Sequence, residues 1–98
     1  MGRHYVAIIE DAGPDQAIGV WFPGLPGCFS AGDDVDEALR NAEDAISLYA
    51  ETLAGEGRIL PAARTIAQLK ADPEMRAELH EHMVALVNSP ATAAHAAE

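Results

Sequence analysis

The sequence is poor in the features that most often mark a secreted, membrane-bound or nucleic-acid-binding protein. It has one cysteine in 98 residues, so no intrachain disulfide can form and disulfide-stapled secreted scaffolds are excluded. No run approaches the roughly 20 apolar residues that a membrane span needs. The opening Met1-Gly2-Arg3-His4-Tyr5 lacks the apolar stretch of a signal peptide. A cytoplasmic protein without a membrane segment is therefore expected. Bases are scarce, with six Lys and Arg against sixteen Asp and Glu and a formal charge of −10. Phosphate neutralisation requires clustered Lys and Arg, so direct nucleic-acid binding is not expected. Internal repeats are absent too, which excludes a solenoid array, and the length leaves no room for a large enzyme.

What is present suits one small globular domain. Apolar residues make up 49% of the chain, and a chain of this length buries roughly two thirds of its unfolded surface. Residues 1–88 read as that domain. The last ten, 89–98, are rich in Ala with Pro, Thr and one His, and are expected to fray. Such acidity either serves solubility alone or matches a basic partner.

The first third reads as strands. His4 to Glu10 is rich in β-branched and aromatic residues, and Asp11 to Asp15 forms a turn with Gly and Pro side by side. Gln16 to Phe22 alternates, with Ile18, Val20 and Phe22 on one face. Pro23-Gly24-Leu25-Pro26-Gly27 ends it, because prolines cannot donate to a ladder and glycines allow turn conformations. Cys28 to Ala31 is a short third strand. Asp34 then caps a helix with Glu37 three residues on. Val35, Ala38, Leu39, Ala42, Ala45, Ile46, Tyr49 and Leu53 follow helical spacing, and Gly55 is its expected stop. Thr65 with Gln68 predicts a second capping box. Asp72-Pro73 predicts a short helix to about Glu81, and Met83 to Val87 has strand length.

The order β-β-β-α-α-β implies an α+β fold: a three-stranded antiparallel meander, a long helix, short helices and a returning strand. The helices are expected on one sheet face, with the last strand parallel to one of the first three through a right-handed crossover. Val6 and Ile8 on the first strand, Trp21 on the second and Val84 and Leu86 on the last then leave the other face too apolar to stay bare. It is expected to dock on a second copy or a partner.

Few residues suggest chemistry. Cys28 has no spacing that ties it to a histidine, and a lone strand cysteine reads as a small buried hydrophobe. His80 and His82 are two apart, on different faces of a helix rather than the i, i+4 arrangement of a metal pair. With Glu78 and Glu81 nearby, a weak metal site stays open only if the helix has already ended there. No catalytic residue, metal ligand or cofactor is assigned. The glycine-rich loop lacks the Lys and following helix of a phosphate cradle. Trp21, beside that loop, reads either as an interface anchor or as packing under the loop. Asp36, Arg40, Glu43, Asp44, Ser47 and Glu51 share the polar face of the long helix, with Asp36 and Arg40 spaced as an ion pair.

The stretch Gly19-Val20-Trp21-Phe22-Pro23-Gly24-Leu25-Pro26-Gly27-Cys28, then Ala31-Gly32-Asp33, Asp36-Glu37-Ala38 and Asn41-Ala42-Glu43, resembles the HicB antitoxin family. Tyr5 to Glu10 and Leu69 to Glu74 are similar to that family's corresponding segments, so the resemblance runs from about residue 4 to 88. It implies a partial ribonuclease-H-like fold without nuclease activity. Its structural motif falls on Pro23, Gly24, Pro26, Gly27, Gly32 and Asp34. It also implies an antitoxin that occludes a small basic mRNA-cleaving HicA toxin, and assembly into a homo-oligomer, dimer or tetramer. On that reading Trp21, Asp36, Glu43, Asp44 and Glu51 are the candidate contact residues. A nuclease of this fold needs carboxylates converging from strand interiors on two metal ions, and here Glu10 and Asp11 sit only at a strand end. Gly24 stands where the family usually has Asp. Many members continue into a DNA-binding segment, whereas the tail from Ala91 has no basic residue, so operator binding by this chain alone is not expected. The alternative is a stand-alone protein- or ligand-binding module of the same fold with no toxin partner.

Overall fold

The computed structural model describes residues 4–89. The strands are β1 (His4–Glu10), β2 (Ile18–Trp21), β3 (Phe29–Gly32) and β4 (Met83–Asn88), and the helices are α1 (Val35–Gly55), α2 (Ile66–Lys70) and α3 (Pro73–Glu81). They form one four-stranded sheet in the order β3-β2-β1-β4. The register pairs Ile9 with Val20, Val20 with Ser30 and Ala7 with Ala85. The meander is therefore as expected, and the fold is α+β.

The helix boundaries follow from their caps. The Asp34 carboxylate accepts from the Glu37 N–H at 2.8 Å, and the Glu37 carboxylate accepts from the Asp33 N–H at 2.9 Å, satisfying donors that a helix start leaves open. Thr65 and Gln68 form the reciprocal box, and Asp72 caps α3 with Pro73 in its first turn. The end of α1 differs in detail from the sequence expectation. Gly55 is its last helical residue, and the left-handed position falls on Gly57 at φ +72°. Gly57 N–H then bonds Ala54 O and Arg58 N–H bonds Leu53 O, the paired closure of a glycine-terminated helix.

The returning strand pairs with β1 and is antiparallel to it, so it runs parallel to β2 with β1 lying between the two. The reason lies in the path back. α1 carries the chain about 30 Å along the sheet, and the α2–α3 segment then climbs back. β4 starts beside Ile9 and runs down the outside of β1.

The two sheet faces are covered by different segments. Tyr5, Ala7, Ile9, Ile18, Val20 and Phe22 join Ala38, Ala42, Ile46 and Leu53 of α1 in the main core. Gly32 lets α1 approach: a Cβ there would lie 2.5 Å from the Ala38 backbone nitrogen. Asn41 Nδ2 donates to Ala31 O and Ser30 Oγ to Ala38 O, tying helix to strand. Val6 and Ile8 point to the other face, as alternation requires, and are buried at 5% and 0% exposure. Outside the main core, Leu69 of α2 is the other buried apolar residue described. The end of α3 meets this face at Glu10, whose carboxylate lies within 4.8 Å of the ligating atoms of Glu78 and His82, so the helices do not share one side. Phe29, Val84 and Leu86 remain exposed near its edges. Ser89, the first residue of the expected tail, is buried; residues 90–98 lie outside the described residues.

Candidate partner-binding surface

The acidic residues of α1 occupy its solvent side because the buried positions 38, 42, 46 and 53 fix the helix rotation. Asp36, Glu43, Asp44 and Glu51 are all exposed, so the structure brings four of the candidate contact residues onto one helix surface. The expected Asp36–Arg40 ion pair does not form. Among the described residues, the ion pairs within 4.0 Å are Arg58–Glu56 and His82–Glu78. Exposed pairs contribute little in any case, and without this one Asp36 keeps its charge open to solvent.

Beside this row runs a shallow groove lined by Gly27, Cys28, Phe29, Ala45, Leu48, Tyr49 and Thr52. Phe29 is 72% exposed and Leu48 65%. Helical spacing sets Asp44 one turn before Leu48 and Glu51 one turn after it. Carboxylates therefore flank an exposed apolar side chain. Sequence reasoning missed Phe29 and Leu48; Leu48 breaks the polar face of α1, which was the signal available.

The Pro23–Gly27 loop holds one wall. Two successive turns close it, Leu25 N–H to Phe22 O and Cys28 N–H to Leu25 O, with Leu25 fully buried between them. Gly27 takes φ +84°, where a side chain is strained, whereas Gly24 has an ordinary backbone. Tyr49 Oη on α1 donates to Pro26 O at 2.9 Å. Tyr5 Oη donates to Pro61 O and anchors the chain as it turns back toward α2.

Trp21 is elsewhere. It is half-buried on the sheet face away from α1, opposite Phe29 in the register, and its Nε1 donates to Glu10 Oε2 at 2.6 Å. The structure does not bring it to Asp36, Glu43, Asp44 and Glu51. Cys28 is buried, and loss of hydration pushes its thiol up from 9.0 to about 11. It stays protonated at neutral pH and lacks the thiolate that nucleophilic chemistry needs.

Comparison with known proteins fits this architecture. The HicB-like antitoxin family of bacterial toxin-antitoxin systems matches residues 5–95. This chain belongs to the HicB-like antitoxin family. An uncharacterised 14.9 kDa protein of Haemophilus phage HP1 is 38% identical over 72 residues, covering 74% of this chain and 53% of that protein. The crystal structure of the Burkholderia pseudomallei antitoxin HicB superposes with a TM-score of 0.74 at 26% identity, over 92% of this chain and 65% of that one. The structure of a HicA3–HicB3 toxin-antitoxin complex gives a TM-score of 0.69 at 26% identity, over 90% of this chain and 99% of the matched one. The chain thus spans about half the phage relative and about two thirds of the Burkholderia antitoxin. In the described residues, no helix is long and apolar enough to cross a membrane.

Proposed function

We propose that this chain is an antitoxin that binds and occludes a small basic mRNA-cleaving toxin of the HicA type in the cytoplasm, with no chemistry of its own. The observation that carries the reading is the surface of α1, where exposed Asp44 and Glu51 stand around Leu48 beside a groove that edge strand β3 borders through Phe29. An RNA-cleaving protein needs a basic surface to hold its substrate, and an acidic, partly apolar patch can mask that surface. Matched charges raise the association rate, and the apolar groove sets the dissociation rate. The likeness to a HicA3–HicB3 complex supports the same partner class.

A second copy of the chain pairs along β4 in this reading. β4 is a sheet edge with no charged residue from Met83 to Asn88, and Met83 and Leu86 are at least half exposed. Long apolar edges of this kind template strand pairing. Two copies that each carry a charge of −10 meet best along their uncharged strips.

The test is calorimetric titration with the basic product of the adjacent gene at two salt concentrations, with RNA cleavage measured alongside. Tight binding that weakens with salt and silences cleavage is expected. Asp44→Lys with Glu51→Lys should slow association by roughly tenfold at low salt and much less at high salt. No binding by a well-folded chain would favour the stand-alone module instead.

A further inference from the structure

We propose that Glu10, Glu78 and His82 form a site for one divalent cation of the zinc class, pinning the end of α3 to the sheet. Glu78 and His82 are an i, i+4 pair at the end of α3. The helix stops at Glu81, and His82 turns out with extended backbone while its N–H still caps on Glu78 O. His82 Nε2 lies 3.3 Å from Glu78 Oε2. Two ligands on a tetrahedral zinc, each about 2.1 Å from it, are about 3.4 Å apart, so this pair already stands at ligand separation. Glu10 at the end of β1 completes the group, and the ligating atoms of all three lie within 4.8 Å of one another.

Two features separate this cluster from an ordinary acidic patch. It contains an imidazole, which solvates a borderline cation far better than a third carboxylate would. One of its carboxylates is also held from outside: Trp21 Nε1 donates to Glu10 Oε2 at 2.6 Å. A carboxylate oxygen has lone pairs for both an indole and a metal, and such outer donors orient ligands and sharpen affinity. Three protein ligands leave the remaining position to water. The three come from two segments far apart in sequence, and His82 immediately precedes β4. A bound cation therefore links the α3–β4 corner to β1 and favours the folded chain over the unfolded one. This inference does not depend on the antitoxin reading, and its test uses no toxin.

Trp21 is the single tryptophan of the chain, so its emission reports on the site directly. The metal-free full chain is titrated with Co2+, followed by absorption and by Trp21 fluorescence, and Zn2+ is then added. One Co2+ per chain should bind with a visible absorption band and quench Trp21, and Zn2+ should reverse both. At a Zn2+ excess of about 100 times Kd, the melting temperature should rise by roughly 10 °C. Glu10→Gln and His82→Ala should each weaken binding by at least about 10-fold, and Trp21→Phe by about 10-fold with the absorption band retained. His80→Ala should change nothing. Co2+ that leaves Trp21 emission untouched in the wild-type chain would overturn the proposal, whether or not any variant folds. So would binding that survives Glu10→Gln, or that disappears with His80→Ala instead of His82→Ala.

Discussion

The two faces of the sheet are built by different means. Beneath α1, a continuous core runs from Tyr5 through Val20 to Ile46 and Leu53, and the helix is bonded to β3 through Asn41 and Ser30. On the opposite face, the described burial outside that core comes down to Val6, Ile8 and Leu69, beside the polar corner of Glu10, Trp21, Glu78 and His82. The first side is held by area and by close backbone approach, the second by a thin apolar strip and a few side-chain contacts. The difference teaches where the molecule can change. The α1 side fixes the shape that a partner meets, and the α2–α3 side is the one a ligand or partner can tighten.

The sharpest way to break the α1 side is at its closest approach. Gly32→Val would set a Cβ 2.5 Å from the Ala38 nitrogen, and backbone cannot move aside as a flexible side chain can. The expected cost is about 3 kcal/mol or more, a large part of the stability of a domain this size. Urea denaturation measures it, and a loss below about 1 kcal/mol would show that α1 can lift from β3 without penalty.

A matched pair of truncations then compares the faces directly. Ile46 and Leu69 are both essentially buried, at 0% and 1% exposure. Ile46→Ala opens a cavity in a rigid core and should cost about 3–4 kcal/mol, in the middle of the usual range. Leu69→Ala should cost about 2 kcal/mol, because five-residue α2 can settle into the space. Hydrogen exchange distinguishes the two further. The Leu69 variant should speed exchange in α2 and α3 while leaving α1 and β1 protected, as for a locally opening unit. Equal costs with uniform exchange would mean that the faces fold as one.

Much of this contrast was legible in the sequence, and the rest had physical reasons for being hidden. The α1 side could be read because its signals are local: Asp34 at the cap, apolar residues at 3.6 spacing, alternation along β2. The caps of α2 and α3 were equally plain in Thr65, Gln68, Asp72 and Pro73. The neighbour that β4 takes in the sheet was not, because it depends on how far the α2–α3 segment climbs, and no single residue encodes that. Glycine is chosen at position 32 because the helix that starts three residues later brings the Ala38 backbone against it, so its role appears only once the two elements meet. The Glu10–Glu78–His82 group was hidden twice. His80 and His82 drew attention as a pair, while the i, i+4 partner of His82 is a glutamate. Its third member comes from the other end of the chain, brought near by the antiparallel return of β4.

The smallest effect tests whether the α1 side is tight throughout. Gly24 lies in the loop beneath that core, at the position where the resemblance to HicB antitoxins places Asp. A Cβ there would meet Tyr5 Cδ1 at 3.9 Å and Arg64 Cγ at 4.0 Å, ordinary contact distances, and the backbone is not left-handed. A carboxylate introduced at this position would sit within reach of the Arg64 stem, and losing the glycine lowers the entropy of the unfolded chain. Gly24→Asp should therefore change stability by no more than about 0.5 kcal/mol. Three residues on, Gly27→Ala should cost about 1 kcal/mol, because φ is +84° there. Thermal unfolding of the two variants side by side decides it. A neutral Gly24→Asp beside a destabilised Gly27→Ala would show that the turn is fixed by one glycine and that position 24 is free to vary. A costly Gly24→Asp would mean that the loop is packed as closely as Gly32, and that tightness extends over the whole α1 side.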